Sequence, residues 1–281
     1  MELFESPLAL LNYLKKERNS GKSIGFVPTM GALHEGHISL VHNSIQENAV
    51  TIVSIFVNPL QFNNKKDLEL YPRNLEKDLE MLEKAGCNVV FFPSSDEIYK
   101  DTPVLKLHFG KLEEIMEGKF RPGHFNGVAI IVSKLFHYVN PDKAYFGQKD
   151  LQQVCIIRQL VKDLSFPLTL VCCPILREKD GLAMSSRNTR LSSQNRPLAG
   201  KIYEALQLAK KTILTEGIEN THKTVKNFLE QYKELELEYF EIADSETLEP
   251  VLNVKEHKQV ALCIAVYLDG VRLIDNELLF L

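Results

Sequence analysis

Residues 24–37 read IGFVPTMGALHEGH, a short apolar run followed by a loop that contains Gly31 and Gly36. The run at 24–28 predicts a buried β-strand, and the residues after it predict a loop that opens into a helix. In an open parallel sheet, ligands bind at the carboxyl ends of the strands, where such loops lie. This stretch therefore predicts a layer of strands and helices with a ligand site at one end.

The alternation of strand and helix continues along the chain. A second apolar run, VTIVSIFV at 50–57, predicts a second strand that a loop and a helix separate from the first. Further strands are predicted at 88–92, 143–146 and 167–173, and helices at 74–86, 126–139 and 150–162. Apolar strands that alternate with helices indicate an α/β fold, a Rossmann-like parallel sheet with helices on both faces.

The character of the sequence changes after Arg177. The polar stretch 178–196 has few apolar residues, which is typical of a loop between domains. Beyond it, helices are predicted at 194–215 and 221–235 and strands at 237–243, 258–267 and 271–279. We therefore expect a Rossmann-like domain in residues 1–177 and a smaller C-terminal α+β domain in residues 178–281.

Composition argues against several classes of protein. The chain has 33 basic and 37 acidic side chains, so its overall charge attracts neither nucleic acid nor an anionic membrane. No apolar run approaches the roughly 20 residues of a transmembrane helix. The start, MELFESPLALLNYLKKERN, lacks the basic head of a secretory signal and predicts a surface helix. Five cysteines without CxxC spacing favour a reduced, cytoplasmic location.

The loop after the first predicted strand suits a phosphate. Gly31 and Gly36 permit tight turns, and the start of the following helix offers N–H groups and partial positive charge. His34 and His37 are three residues apart, so both rings can project from one turn as donors. Two solvated histidines, or a metal site, remain alternatives, although no acidic or cysteine cluster nearby completes a set of metal ligands.

Two further segments carry polar side chains near strand ends or helix starts. Asn58 and Gln61, in FVNPLQF at 56–62, could bind a small polar acid, or could belong to an ordinary Asn-Pro turn. The segment RPGHFNG at 121–127 precedes a predicted helix and is equally consistent with ligand contact and a surface turn.

Two more segments suit a nucleotide. At Gly147–Asp150, Lys149 could neutralise phosphoryl charge, and Asp150 could bind ribose or Mg²⁺, or simply favour a helix start. At Met184–Arg187, two hydroxyls and a guanidinium could clamp a triphosphate, or the segment could be a flexible linker.

The polar segments resemble, in order and approximate spacing, those of the pantothenate synthetases, the pantoate–β-alanine ligase family. The segments are PTMGALHEGH, FVNPLQF, RPGHFNGV, YFGQKDLQQ and AMSSRN, and the resemblance spans about residues 20–280. His34–His37 is similar to the HxGH signature of the nucleotidyltransferase superfamily, which includes class I aminoacyl-tRNA synthetases. Ala183–Arg187 takes the place of the KMSKS-type loop without its lysines, as in pantothenate synthetases, and Gln148 stands where many relatives carry Glu.

The resemblance implies an ATP-dependent acid–amine ligase. Such an enzyme converts pantoate to pantoyl-adenylate with Mg–ATP and loss of pyrophosphate, and β-alanine then gives pantothenate and AMP. The partners expected are pantoate, β-alanine and ATP, in a cytoplasmic homodimer of the coenzyme A pathway, with no nucleic acid or membrane partner. Residues 1–177 would bind ATP and pantoate, and residues 178–281 would form a lid over the site.

Individual residues receive roles from the same resemblance. Gln61 and Gln153 would hold pantoate, and Asn58 would lie on the β-alanine side. The family assigns a proton-donor role to His37, whereas charge stabilisation is the role that the chemistry favours. No residue is assigned as a ligand of Mg²⁺. The residues expected to act in catalysis are His37, His34, Lys149 and Arg187, and those expected to line ATP are Met30, Gly31, Ala32, Leu33, His34, Glu35, Gly36, His37, Gly147, Gln148, Lys149, Asp150, Leu176, Met184, Ser185, Ser186 and Arg187.

Three alternatives share part of this pattern. A sibling adenylyltransferase would keep His34 and His37 but would not need the segment 58–62. A truncated tRNA synthetase would need a basic surface, which the last 100 residues lack. A regulatory module could keep the fold and bind nucleotide without turnover, although intact His37, Lys149 and Arg187 count against it.

Overall fold

The apolar run at 24–28 forms a central strand of a six-stranded parallel sheet in the computed structural model, which describes residues Met1–Leu281. The strands are β1 (Glu2–Phe4), β2 (Ile24–Thr29), β3 (Val50–Ile55), β4 (Val89–Phe91), β5 (Lys143–Gly147) and β6 (Thr169–Cys173), in the order β1-β4-β3-β2-β5-β6. The connecting helices are α1 (Pro7–Asn19), α2 (Glu35–Glu47), α3 (Lys65–Glu69), α4 (Leu75–Lys84), α5 (Ser95–Ile98), α6 (Met116–Phe120), α7 (His124–Val139) and α8 (Leu151–Asp163).

The chain forms two units. The first comprises Met1–Gly147 and Ile156–Cys173 and contains the whole parallel sheet. The second comprises Gln148–Cys155 and Pro174–Leu281 and contains three antiparallel strands. The predicted fold class, a Rossmann-like parallel sheet together with a smaller α+β part, is confirmed.

Helices cover both faces of the parallel sheet. On β2, the ring of Phe26 lies 6.4 Å from that of Phe136 in α7, whereas Val27 belongs to a buried cluster with Val41 of α2. Because neighbouring residues of a strand point to opposite faces, α7 and α2 pack on opposite sides of β2.

The strand order determines where a ligand site can form. From β2 the chain moves outward through β3 and β4, and it then returns to the other side of β2 as β5. Such a reversal leaves a crevice beyond the carboxyl ends of the two strands, here β2 and β5. The loop Met30–His34 lies at this end of β2.

The prediction of one continuous helix at the N-terminus is wrong for its first residues. Glu2–Phe4 instead pairs in parallel with Val89–Phe91 as an edge strand. Helix α1 begins only at Pro7, because Ser6 accepts the Ala9 N–H and Pro7 has no N–H of its own to lose.

The second unit is an antiparallel sheet packed against a long helix. The strands are β7 (Glu236–Asp244), β8 (Gln259–Leu268) and β9 (Val271–Phe280), and the helix is α9 (Gly200–Leu229). Two helices were predicted at 194–215 and 221–235, and α9 accordingly consists of two helical segments that meet at Gly217, where φ is 78° and the backbone is not helical. Only glycine adopts that backbone conformation, with its ψ of 178°, without strain.

All five cysteines are free thiols. None of the helices combines the length and the apolar character that crossing a membrane requires.

The C-terminal end of α2 is tied to the sheet by a buried tyrosine. The Tyr145 hydroxyl donates to Glu47 Oε2 and accepts from Asn48 Nδ2, both at 2.7 Å. Burial and the nearby Glu47 carboxylate raise the pKa of Tyr145, which keeps the hydroxyl protonated as a donor. At Gly25 a Cβ atom would lie 2.2 Å from Ser44 Oγ, so only glycine lets α2 approach β2 this closely. These contacts fix the helix whose first turn carries His37.

Tyr145→Phe should lower the free energy of unfolding by about 1–2 kcal/mol, because it removes one hydroxyl that bonds two partners. Denaturant unfolding measures this loss. Tyr138→Phe is the control, since Tyr138 is only partly buried and its hydroxyl makes no hydrogen bond to protein. Equal losses in the two variants would contradict the anchoring role.

Candidate active site

The loop after β2 adopts an uncommon backbone conformation. Gly31 and Ala32 both have positive φ, at 78° and 50°. Glycine adopts this left-handed region freely, whereas alanine does so at a cost. The Asp78 carboxylate, from α4, accepts the N–H groups of Ala32 at 2.9 Å and Leu33 at 2.7 Å. A buried side chain therefore holds the loop in shape.

The backbone N–H groups of the loop at residues 31–33 already donate hydrogen bonds to acceptors within the protein. Besides the two N–H groups bound by Asp78, the Gly31 N–H donates to Thr29 Oγ1 at 3.2 Å. Leu33 also points its side chain into the buried cluster of the first unit. A phosphate at this loop would accordingly be bound by side chains of the helix start rather than by the amides of residues 31–33.

His34 and His37 form a reciprocal cap at the start of α2. His34 Nδ1 accepts the Gly36 N–H at 3.1 Å, and His37 Nδ1 accepts the His34 N–H at 3.4 Å. The two ring centroids are 4.1 Å apart. Because each Nδ1 accepts a hydrogen bond from a backbone N–H group, a neutral ring in this arrangement carries its proton on Nε2. Both rings can therefore donate a hydrogen bond from Nε2, next to the positive end of the α2 dipole.

Asn58 is buried, and its amide is fully occupied. Asn58 Nδ2 donates to Gln61 Oε1 and to the Gly127 carbonyl, both at 3.1 Å. Asn58 Oδ1 accepts from the Tyr99 hydroxyl at 2.8 Å and from the Leu60 N–H at 3.4 Å. An amide has two donor hydrogens and two acceptor positions, so no position is left for a ligand. Asn58 therefore orients the Gln61 side chain.

Gln61 is the meeting point of three sequence segments. Its side-chain Nε2 lies 3.1 Å from Met30 Sδ, and its backbone carbonyl oxygen lies 2.9 Å from His124 Nδ1. At Gly127 a Cβ atom would lie 2.3 Å from the Leu60 carbonyl oxygen, so glycine is needed where α7 meets this turn. The structure thus brings together segments 30–37, 56–62 and 121–127, all of which the sequence singled out.

A cavity of about 240 Å³ adjoins the loop after β2. Its walls include Met30, Gly31 and Ala32 together with Asp78 and Arg73. The other lining residues are Ile55, Phe56, Val57, Asn74, Leu75, Phe92, Pro93 and Ser95.

The second unit holds the other predicted residues except Gly147, which ends β5 in the first unit. Gln148–Asp150 forms one 3₁₀ turn, and Asn276 of β9 donates to the Gln148 and Lys149 carbonyls at 2.9 and 3.0 Å. Gln148 Nε2 donates to Asn276 Oδ1 at 3.1 Å, so this side chain belongs to the support of the turn. Lys149 Nζ lies 3.2 Å from Asp150 Oδ2, with Asp150 about half exposed. Gln153 follows in the first turn of α8.

The segment Met184–Arg187 is anchored at both ends. The Met184 N–H donates to the Leu176 carbonyl at 3.0 Å, which places these two predicted residues side by side. Ser185 Oγ accepts the Arg187 N–H at 3.3 Å. Asn188 Nδ2 then donates to Glu178 Oε1 at 2.7 Å and to the Ala183 carbonyl at 3.1 Å. Ser186 and Arg187 are half-buried within this turn.

The residues that support the site were not singled out by the sequence analysis. Asp78 had a visible signal, because it interrupts the apolar stripe Leu75, Leu79 and Leu82 of a predicted helix. Tyr99 had none, because no spacing connects it with Asn58. No group of three or more His, Cys, Asp or Glu side chains is arranged to hold a metal ion.

Asn58→Ala should lower the free energy of unfolding by about 2–4 kcal/mol, because it leaves several buried polar groups without partners. Thermal and denaturant unfolding of the ligand-free protein measure this. Asn19→Ala, at an exposed position of α1, is the control. A residue that only contacts substrate would leave the ligand-free stability nearly unchanged, and that outcome would contradict the supporting role.

Comparisons with known proteins agree with one another. The family model for pantoate-beta-alanine ligase matches residues 2–278. The chain is 51% identical over 271 residues to the pantothenate synthetase of Cytophaga hutchinsonii, with 96% of each chain covered. It is 52% identical over 278 residues to that of Christiangramia forsetii, with 98% of each covered.

Solved structures show the same similarity. The pantothenate synthetase of Thermus thermophilus matches with a TM-score of 0.92 at 38% identity, covering 99% of both chains. The pantoate-beta-alanine ligase of Francisella tularensis, in complex with beta-gamma ATP and beta-alanine, matches with a TM-score of 0.81 at 38% identity. That match covers 99% of this chain and 97% of the other.

Proposed function

The chain belongs to the pantoate–β-alanine ligase family, and from that premise we propose that it joins pantoate to β-alanine in an ATP-dependent reaction. In the first step a pantoate carboxylate oxygen attacks the α-phosphorus of ATP, and pyrophosphate leaves. In the second step the β-alanine amine attacks the acyl carbon of pantoyl-adenylate, and AMP leaves. The products are pantothenate, AMP and pyrophosphate, on the route to coenzyme A.

The reciprocally capped pair His34 and His37 is the observation that carries this proposal. A carboxylate that attacks an already anionic phosphate needs positioning and charge stabilisation more than it needs a base. Two Nε2–H donors at a helix start, at the carboxyl end of β2, supply both to a phosphate oxygen. The reaction requires no side-chain nucleophile, since the substrate carboxylate provides the attacking oxygen.

The geometry favours hydrogen-bond donation by His37 over the proton-donor role that the resemblance implied. The Nδ1 of His37 accepts the His34 N–H, which leaves Nε2 as the position for the proton of a neutral ring. A neutral imidazole stabilises developing charge on a phosphate oxygen without giving up its proton.

Residues of the second unit complete the proposal. Lys149 and Arg187 would neutralise phosphate charge, and Ser185, Ser186 and the backbone near Leu176 would contact the nucleotide. Residues 178–281 would act as a lid that moves the segment Met184–Arg187 onto ATP. Lids of this kind exclude water from the reacting groups.

Gln61 and Gln153 are proposed to bind pantoate through their amides. Asn58 would act on the β-alanine side only indirectly, because its own amide is used to orient Gln61. An amide with a fixed orientation offers a hydroxyl or a carboxylate one defined donor or acceptor.

Magnesium enters this proposal as part of the Mg–ATP substrate. Mg²⁺ usually binds one or two carboxylates, substrate phosphates and several waters, not a cage built only from protein side chains. Asp150 fits such a role, because its carboxylate is about half exposed and lies beside Lys149. Its alternative role is a hydrogen bond to ribose.

Of the other functions considered, a sibling adenylyltransferase and a truncated tRNA synthetase do not account for a match to the ligase family over residues 2–278. A regulatory module without turnover would keep the same fold. Turnover assays therefore decide between the ligase and the regulatory module.

Purified protein with Mg–ATP should release pyrophosphate only when pantoate is present, and should form AMP and pantothenate when β-alanine is added. His37→Ala should lower the rate about 100-fold or more, the usual loss for a charge-stabilising donor. His37→Gln should retain more activity than His37→Ala, because the glutamine amide can donate near the position of Nε2 but cannot transfer a proton.

His42→Ala is the matched control, since His42 is exposed on the same helix. An inactive wild type that still binds ATP would refute the ligase function. Equal loss in His37→Gln and His37→Ala would instead favour the proton-donor role.

We also propose a cytoplasmic homodimer. In the first unit the side chains of Val104 and Leu105 are 96% and 61% exposed, which is unusual for adjacent apolar residues and is typical of a contact surface. Light scattering should give twice the chain mass of 32.0 kDa, about 64 kDa. Leu105→Glu should shift the mass toward the monomer, and a wild-type mass of one chain would contradict the proposal.

A further inference from the structure

Asp78 is a carboxylate at a position where the helical pattern of α4 predicts an apolar side chain. It lies on the apolar stripe of α4 with Leu75, Leu79 and Leu82, and only 2% of its surface is exposed. Burying a charge is costly unless strong hydrogen bonds compensate. A fold that needed only packing would have an apolar side chain here.

The bonds that Asp78 makes all go to one loop. Its two oxygens accept the N–H groups of Ala32 and Leu33, and it forms no salt bridge. Burial raises the pKa of Asp78 above its usual range, and the hydrogen bonds from Leu33 and Ala32, followed by the charge of Lys77, oppose this rise, so the two N–H groups are the main support of the charged form. The loop and the carboxylate are therefore mutually dependent.

Successive backbone N–H groups in a left-handed turn form a concave site for an anion. At Gly31–Leu33 that site is filled from within by the Asp78 carboxylate. The fit is tight, because a Cβ atom at Gly31 would lie 2.9 Å from Asp78 Oδ2. The conformation of Gly31–Leu33 determines the position of His34, the next residue, which caps the start of α2.

We propose that Asp78 is a positioning residue for the adenylation step, because it fills the anion site of the Gly31–Leu33 turn and so aims the Nε2–H groups of His34 and His37. This inference rests on the proposed ligase function. Asp78 does not touch the nucleotide in this proposal and acts only through the loop. It differs from a residue that merely stabilises the fold, because it controls the direction of two donors.

The proposal makes separate predictions for the kinetic constants. Misaiming a catalytic group by about 1 Å costs up to about 100-fold in rate. Asn58 and His124 hold the side-chain oxygen and the backbone carbonyl of Gln61, and only its Nε2 contacts the loop, at Met30, so pantoate binding should be largely spared.

The first test compares Asp78→Asn with wild type. Asparagine has the same shape, but its NH₂ group would face one of the two N–H donors. We expect a folded protein whose kcat for pyrophosphate formation is about 10- to 100-fold lower, with the pantoate KM within about twofold. Asp96→Asn, at an exposed site in α5, is the matched control and should behave as wild type.

A chemical rescue sharpens the test. The cavity of about 240 Å³ that borders Asp78 gives a small anion access to the space vacated in Asp78→Ala. Formate, but not chloride at equal ionic strength, should raise kcat of that variant and should not raise kcat of His37→Ala. Asp78→Asn keeps the proposal testable if Asp78→Ala does not fold.

The proposal is overturned by a folded Asp78→Asn with kcat within twofold of wild type, or by a rate loss that merely follows the fraction unfolded. It is equally overturned by a folded Asp78→Ala variant that formate does not activate. Amide hydrogen exchange at Ala32 and Leu33 tests the two hydrogen bonds to Asp78 directly and does not depend on enzyme activity. It should be faster in Asp78→Asn. If amide exchange at Ala32 and Leu33 is unchanged, Asp78 does not hold the loop and the proposal is refuted. An inactive wild type refutes only the ligase function.

Discussion

The pairing of β2 with β3 on one side and β5 on the other is the constraint on which the site depends. It fixes the end of β2 at the point where the sheet reverses direction, and it forces the chain to leave the sheet there in a sharp turn. Helix α2 must then approach β2 closely, which Gly25 permits, and Tyr145 ties its far end to β5. The first turn of α2 is consequently held from both directions.

The polar residues of the first unit fall into two groups: residues that support a neighbour through hydrogen bonds, and the neighbours that they support at the candidate site. Asp78 and Asn58 are buried and fully bonded, and each fixes a neighbour instead of meeting solvent. His34 and Gln61 are the neighbours that they fix, directly or through one loop. Such a layered arrangement limits the movement of a donor to what its supporting bonds allow. In the second unit Asn276 supports the turn at Lys149 in the same way.

Much of this could be predicted from the sequence, because the patterns that carry it are local. Apolar runs, glycines before helices and polar residues after strands identified the sheet, the loop after β2 and segment 56–62. The failures involve contacts between distant residues. Strand β1 exists only because Glu2–Phe4 meets β4, some 87 positions along the chain. Asn58 bonds Gly127 and Tyr99, 69 and 41 positions away, and no local pattern in the sequence reveals these two partners.

The filled turn at Gly31–Leu33 also bears on which anions of the cell the protein would accept. Inorganic phosphate and sulfate bind readily to vacant N–H groups at the start of a helix. At Ala32 and Leu33 they meet N–H groups that already serve Asp78. In the proposed reaction an incoming phosphate would instead be recognised by imidazole and cationic side chains, together with the rest of the molecule that carries it. Free phosphate and sulfate would thus lack one binding position that helix starts commonly provide, and the protein would select for the complete nucleotide.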